Sequence, residues 1–416
     1  MSKITAEIVQ NSRSLQKTVF SPRTAKFLFI VLLAFAIVLT SLSVQAAPKA
    51  IVYSNLSFNP NQSGLFSIQP TGRDRRKLVP GAIGAAVWSP NGQRIAFTLN
   101  DDVYVVNSNG SNLKKRFTEE SACRASSTEL HWFSDNQRLV FPRSCDGFTN
   151  EDPGTVSIFL SSDKVPTSQL WSPKPDQELN SNLAFSPNGQ AVSYVANRSL
   201  YRMTLNNPGA TQPITPADSE AGYQFSLVSW SPDSTKIARI DYLKGRNQRI
   251  SIVQPDGKLL AQWTSPGINW ATPNLIWSPN SEQVAYYQSE PKSLSSIYLF
   301  DLKTKTQKAL TREPAYYTNL KWSPDGRQIA FTYQVDSART ALYTIDLASS
   351  ILKDLTPNLK TEEIDAPAWS PDSRQIIFVS GKIGENNLYI VNRNGSGLRQ
   401  LTYDRESSIY YPTWQP

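Results

Sequence analysis

The sequence predicts an all-β fold, an eight-bladed β-propeller of four-stranded antiparallel blades. Three observations carry that prediction. The stretch Trp322-Ser323-Pro324-Asp325-Gly326 recurs along nearly the whole chain, its recurrences are 44 to 53 residues apart, and the two chain ends hold complementary pieces of one repeat.

Variants of the stretch begin at Trp88, Trp132, Phe185, Trp230, Trp277, Trp322, Trp369 and Trp414. A period of about 40–45 residues is that of a four-stranded propeller blade. Serine first, proline second and a small residue fourth suit a type I turn. The fourth position reads Gly92, Asn136, Gly189, Ser234, Ser281, Gly326 and Ser373, residues tolerant of left-handed geometry. The segments that follow, such as Arg94–Phe97, Gln283–Tyr287 and Gln375–Phe378, are β-branched and aromatic and read as strands. A further short strand follows each, for example Val103–Val106, Ile297–Phe300 and Leu388–Val391. An edge strand ending Leu-Thr completes the unit, as at Leu310-Thr311, Leu355-Thr356 and Leu401-Thr402. Each unit therefore runs as strand A up to the tryptophan, then B, C and D.

Closure follows from the ends. Trp414-Gln415-Pro416 breaks off inside a turn, after a strand A with no B to follow. Ala50–Tyr53, Gly64–Ile68 and Arg76–Val79 read as B, C and D with no strand A before them. Paired, these pieces make one blade; with the seven internal repeats the ring has eight. Sharing a blade between the termini removes free sheet edges.

The repeated Trp-Ser-Pro-Asp-Gly turn and Leu-Thr ending resemble those of WD-repeat-like TolB-type β-propellers, over roughly residues 50 to 416. The resemblance implies a partner-binding role in the cell envelope. The sequence departs from the pattern in two ways. TolB itself is similar to a six-bladed ring preceded by a separate α/β domain, and no such domain fits here between the N-terminal apolar segment and the first blade.

Residues 1–46 read as an export signal or a membrane anchor, and 47–416 as one propeller domain. Lys3, Arg13, Lys17, Arg23 and Lys26 precede the uncharged run Phe27–Leu39, and small residues follow at Ala46-Ala47. A basic start, an apolar centre and small residues at a cleavage point make an export signal, with cleavage expected after Ala46. The alternative is an uncleaved anchor, since Phe27 to Ala47 is just long enough to span a bilayer. Either way the propeller is exported, to the periplasm or otherwise. The segment holds five basic residues and one acidic, so half of the chain's net +8 belongs to targeting. The remaining charge reads as scattered along the sequence, which argues against nucleic acid as a partner.

Cys123 and Cys145 flank Trp132 in the third and most irregular blade, where Phe133-Ser134 replaces the usual Ser-Pro. Cys123 falls in the loop before strand A and Cys145 in the loop between B and C, two loops on one side of a propeller. One even pair in an exported chain favours a disulfide over two inert thiols. Such a bridge would add roughly 3 kcal/mol in the chain-entropy picture.

The catalytic inventory is thin. His131 is the only histidine, which excludes histidine-rich metal sites. No Gly-x-Ser-x-Gly elbow and no phosphate-cradling glycine loop occurs, and Asp233, Asp325 and Asp372 read as turn residues. Asn107–Gly110 and Asn392–Gly395 lack the carboxylates of a calcium loop and read as C–D turns. The expectation is therefore a monomer without cofactor or metal, not an enzyme, that binds a protein or peptide of the cell envelope. Its contact residues are expected in the D–A loops: Trp270, Arg312, Tyr316, Tyr317, Arg405, Tyr410 and Tyr411. Tyr, Trp and Arg are the types that anchor interfaces, although the same rings also serve as packing between blades. The alternative is a carbohydrate-active enzyme or glycan binder. It would use those aromatics with Glu119, Glu120, Glu129, Asp365 and Glu406, provided two carboxylates stand about 5–10 Å apart.

Overall fold

In a computed structural model of the protein, the described residues are 49–416 apart from 118–123, 126–129, 146–154, 165, 174–178, 180–181, 216–225, 244–246, 267–274, 290–293, 314, 337–338 and 360–362. The export segment and Cys123 lie outside them. Among the described residues the strands make eight antiparallel sheets and there is no α-helix. Blades are numbered from the N-terminus. Blade 7 shows the pattern: A Tyr317–Trp322, B Gln328–Asp336, C Arg339–Asp346 and D Leu352–Asp354.

Blade 1 is shared between the chain ends, as the sequence requires. Its strand A, Ser407–Trp414, pairs with strand B, Ile51–Ser57, with Ile51 opposite Trp414 and Ser57 opposite Ser407. Strands C and D, Gly64–Ile68 and Arg76–Pro80, complete the sheet. Just beyond the pairing, Gln415 N–H donates to the Ala50 carbonyl at 2.8 Å, so both ends leave the ring at one place.

Period-two alternation explains why B strands are apolar throughout. Ile51 and Tyr53 pack toward blade 8, while Val52 between them packs toward blade 2. The buried apolar side chains fall into eight clusters, each spanning two neighbouring blades. A side chain such as Phe331 or Ile376, with no solvent access worth the name, contributes about 1.5–3 kcal/mol. D strands face solvent and are mostly exposed, whereas successive A strands approach one another around the axis.

The tryptophans tie neighbouring blades together. Trp132 Nε1 donates to the Val87 carbonyl, Trp230 to Ala184, Trp277 to Ser229, Trp322 to Ile276, Trp369 to Lys321 and Trp414 to Ala368, at 3.0–3.3 Å. Every acceptor stands one residue before the aromatic of the preceding blade. Phe185 has no N–H to give, and the Trp88 indole has no partner among the described residues.

The turns add a second set of links. In each, the fourth residue donates to the first residue's carbonyl at 2.8–3.0 Å, and each fourth residue has positive φ, from 58° at Asn136 to 71° at Gly326. Where the fourth residue is Asn or Ser, its side chain also serves the neighbouring blade. Asn136, Ser234, Ser281 and Ser373 accept from the turn N–H groups of Asn91, Asn188, Asp233 and Asp325 at 2.7–3.1 Å. Inside the turn, the Ser323 hydroxyl donates to Asp325 at 2.6 Å and accepts from Gln328 N–H at 2.9 Å.

Two placements differ from expectation. The Leu-Thr pairs stand just past strand D rather than in it, because the threonine has left the ladder to cap strand C. Thr311, Thr356 and Thr402 Oγ1 accept from the N–H groups of Ile297, Leu342 and Leu388. In blade 3, strand A is two short pieces, Arg124–Ala125 and His131–Trp132, both paired with strand B, Leu139–Cys145. Cys145 therefore ends strand B rather than lying in the loop beyond it.

Replacing Trp322 by Phe keeps the ring's area and removes one indole bond, so unfolding in urea should show a loss of about 1 kcal/mol. Trp322→Ala should lose about 3–5 kcal/mol. An unchanged Trp322→Phe protein would deny the bond any part in stability.

The turn carboxylates set the acid limit. Burial works to raise Asp233, but the Ser231 hydroxyl, Thr235 N–H and Lys236 outweigh it and hold it well below the ordinary carboxylate range. Asp325 is held low in the same way by Ser323, Arg327 N–H and Arg393, again against burial. A depressed folded pKa stabilises above the unfolded value near 3.8 and ceases to do so as pH falls through the folded one. Melting temperature should thus fall as pH drops from about 5 to 2, and Asp233→Asn with Asp325→Asn should flatten that fall.

Candidate functional site

Strand A, at the inner edge of each sheet, presents side chains to the central axis. His131 and Lys321 occupy the same position, one residue before the blade's tryptophan, and both meet solvent. The surrounding walls crowd them. That desolvation pushes His131 down to about 4. The imidazole is neutral at pH 7 and leans on the Phe185 ring, 4.5 Å between centroids. Crowding also lowers Lys321, partly offset by Asp365. Asp365 in turn accepts from Asn319 Nδ2 at 2.7 Å, across the junction of blades 7 and 8.

An irregularity recurs three residues before the tryptophan. The register of A on B shifts there in blades 1, 2, 7 and 8, which marks a β-bulge. Asn319, Ala366 and Tyr411 hold φ of 58°, 50° and 52° at this point. Bulges re-aim side chains, and a tyrosine in left-handed backbone costs about 1–3 kcal/mol. Tyr411, held at this bulge, is 43% exposed.

The expected contact residues separate into two groups. Arg312, Tyr316, Arg405 and Tyr411 are exposed, and Tyr410 is half-buried with its ring 6.1 Å from that of Tyr411. Tyr317 is withdrawn into the blade. Its ring packs on Phe331 and Tyr333, its hydroxyl donates to the Glu313 carbonyl at 2.6 Å, and it serves as core. Tyr317, Tyr410 and Tyr411 also belong to strand A itself rather than to the loop ahead of it, because A begins earlier than the spacing suggests. Trp270, Glu119, Glu120 and Glu129 lie outside the described residues.

The fold brings forward residues that the sequence did not single out. Phe58 is 87% exposed and Ile383 74%, with Leu56 and Val335 also open to solvent. Phe58 and Ile383 stand in the B–C loops of blades 1 and 8, on either side of the segment that enters strand A of blade 1. That seam is fixed: Phe58 N–H and the Ser57 hydroxyl reach the Glu406 carbonyl, Gly384 N–H donates to Ser408 Oγ at 2.7 Å, and Glu385 bridges Ser407. Arg75 clamps Asp404 through two bonds of 2.9 and 2.7 Å at the outer end of the same segment. The available signal was an apolar side chain set among Asn, Pro and Gly, as in Phe58-Asn59-Pro60 and Ile383-Gly384. Among the described residues no group of His, Cys, Asp and Glu could hold a metal ion.

Rings locked by inner-strand tryptophans, with Ser-Pro-Asp turns on one side and longer loops on the other, define a repeat-built β-propeller. Residues 235–416, somewhat under half of the chain, match the TolB beta propeller domain family. No curated protein matches the chain. Among solved structures, "the eukaryotic initiation factor" is 13% identical with TM-score 0.57, over 89% of this chain and 99% of that one. An oligogalacturonate lyase in complex with manganese is 12% identical with TM-score 0.54, over 84% and 98%. One of two prolyl endopeptidases is 11% identical with TM-score 0.56, over 79% of this chain and 50% of that one. At these identities the likeness shows the fold alone.

Proposed function

We propose that this propeller is an exported, non-enzymatic scaffold that binds a peptide segment of a cell-envelope protein on its B–C and D–A loop face. The observation that carries the reading is a set of exposed side chains on a hydrogen-bonded frame: Phe58 and Ile383 in B–C loops, Tyr316 just ahead of strand A of blade 7, and Tyr411 within strand A of blade 1. Large apolar side chains left in water on fixed loops mark interaction sites, and rigid aromatic anchors lose little entropy on binding. Arg312 and Arg405 beside them supply polar contacts at the rim. The N-terminal basic and apolar run supports export, and the kinship with TolB propellers supports the cell envelope as location. The carbohydrate-enzyme reading has less behind it: of its carboxylates, Asp365 is engaged by Asn319, and Glu406 holds its place through its backbone carbonyl.

Site-specific photo-crosslinking in the native envelope tests the proposal. A crosslinker at Phe58 should capture a discrete partner, and one at Ile351, in the C–D turn of blade 7, should not. Phe58→Ala, Ile383→Ala and Tyr411→Ala combined should lower capture from a crosslinker at Tyr316 by more than about tenfold, given about 1–2 kcal/mol per anchor. Equal capture from both positions, or none from Phe58 and Tyr316, would remove the loop face as the binding surface.

A further inference from the structure

Charge that reads as scattered along the sequence is sorted by the fold. C–D turns and the D strands that follow them lie toward the side of the A–B turns, away from the loop face. On blades 7, 8, 1 and 2 that side carries Lys353, Arg399, Arg73, Arg76 and Lys114, all exposed. The blades join into one arc. The Arg399 guanidinium donates to the Pro70 carbonyl in the C–D turn of blade 1, and Gly110 in the C–D turn of blade 2 packs on Leu78 of blade 1. Carboxylates on that side are fewer: Asp325 is engaged by Arg393 and Asp372 stands 3.9 Å from Arg374, while Asp74 is exposed beside Arg73. The loop face of the same blades is mixed in charge, with Glu313, Glu363, Asp365, Glu385 and Glu406 exposed among Arg312, Lys382 and Arg405.

The basic arc surrounds the point where the chain enters the ring. Lys49 bonds the Pro416 carbonyl, and Ala50 N–H bonds Gln415, at the A–B turn end of blade 1. Ahead of Lys49 the sequence carries the uncharged run Phe27–Leu39. A basic face at the attachment point of an apolar segment fits one occupant, the anionic headgroup layer of a lipid bilayer.

We propose that the A–B and C–D side of blades 7, 8, 1 and 2 rests on an anionic membrane surface, so that the loop face points away from the bilayer. The proposal is independent of the partner reading: it rests on the opposite side of the ring. Near an anionic surface each Lys or Arg adds roughly fivefold to partitioning, and the effect is screened by salt.

The ring closes on itself within residues 49–416 and holds its own eight cores, so that fragment is the probe, with its circular dichroism and melting checked first. It should cosediment with phosphatidylglycerol–phosphatidylcholine vesicles in about 50 mM salt and release above about 500 mM. Vesicles of phosphatidylcholine alone should leave it in solution. Arg73→Glu, Arg76→Glu and Lys114→Glu combined, whose side chains make no bond among the described residues, should lower partitioning by about 100-fold or more. A matched variant of the loop face, Arg312→Glu with Arg405→Glu, should bind vesicles as the parent does. Failure to bind anionic vesicles, equal binding to both vesicle types, equal loss in the two variants, or binding to DNA without vesicle binding would each overturn the proposal.

Discussion

In six of the eight blades an indole N–H reaches back to a carbonyl on the inner strand of the blade before it, and the ring depends on that reach. A sheet with two apolar faces cannot stand alone in water. Packing it between two neighbours solves the problem for every blade except the first and last of an open row. The shared blade removes those exceptions, since Ile51 and Tyr53 then cover blade 8 as Val284 and Tyr286 cover blade 5. The hydrophobic clusters supply most of the energy but tolerate sliding. The Trp bonds, and the Asn and Ser side chains that reach between turns, fix how far each blade is rotated against the next.

The fold was legible because its signals are local and repeated. The Ser-Pro-Asp-Gly turn fixes a left-handed residue, the tryptophan marks the end of strand A, and the run after the turn is apolar on both faces. A single blade read alone would have been ambiguous. Even so, the motif concealed its own chemistry. Ser281 in place of a glycine reads as a tolerated substitute, yet it accepts a bond from the neighbouring turn, and the threonine of Leu-Thr caps strand C instead of extending strand D. Both are contacts between segments brought together only by the ring.

The binding surface was legible only in outline. Arg312, Tyr316 and Tyr411 were findable because aromatic and basic residues cluster before the tryptophan. Tyr317 follows Tyr316 in the chain and points the other way, into the blade, as alternation along a strand demands. Phe58 and Ile383 escaped notice because nothing in a lone apolar residue in a polar loop says whether it turns in or out. The basic arc was invisible for a different reason: blade topology sends alternate loops to opposite sides, so basic residues scattered along the sequence gather on one of them.

Hydrogen exchange on the amides of residues 51–57 and 407–414 tests the circular closure most directly. If the last strand completes the first blade, these amides exchange as slowly as those of strand B in blade 7. Truncation before Ser407 then speeds exchange in both flanking blades. Fast exchange in the intact chain, or truncation without effect on residues 51–57, would contradict the ring described here.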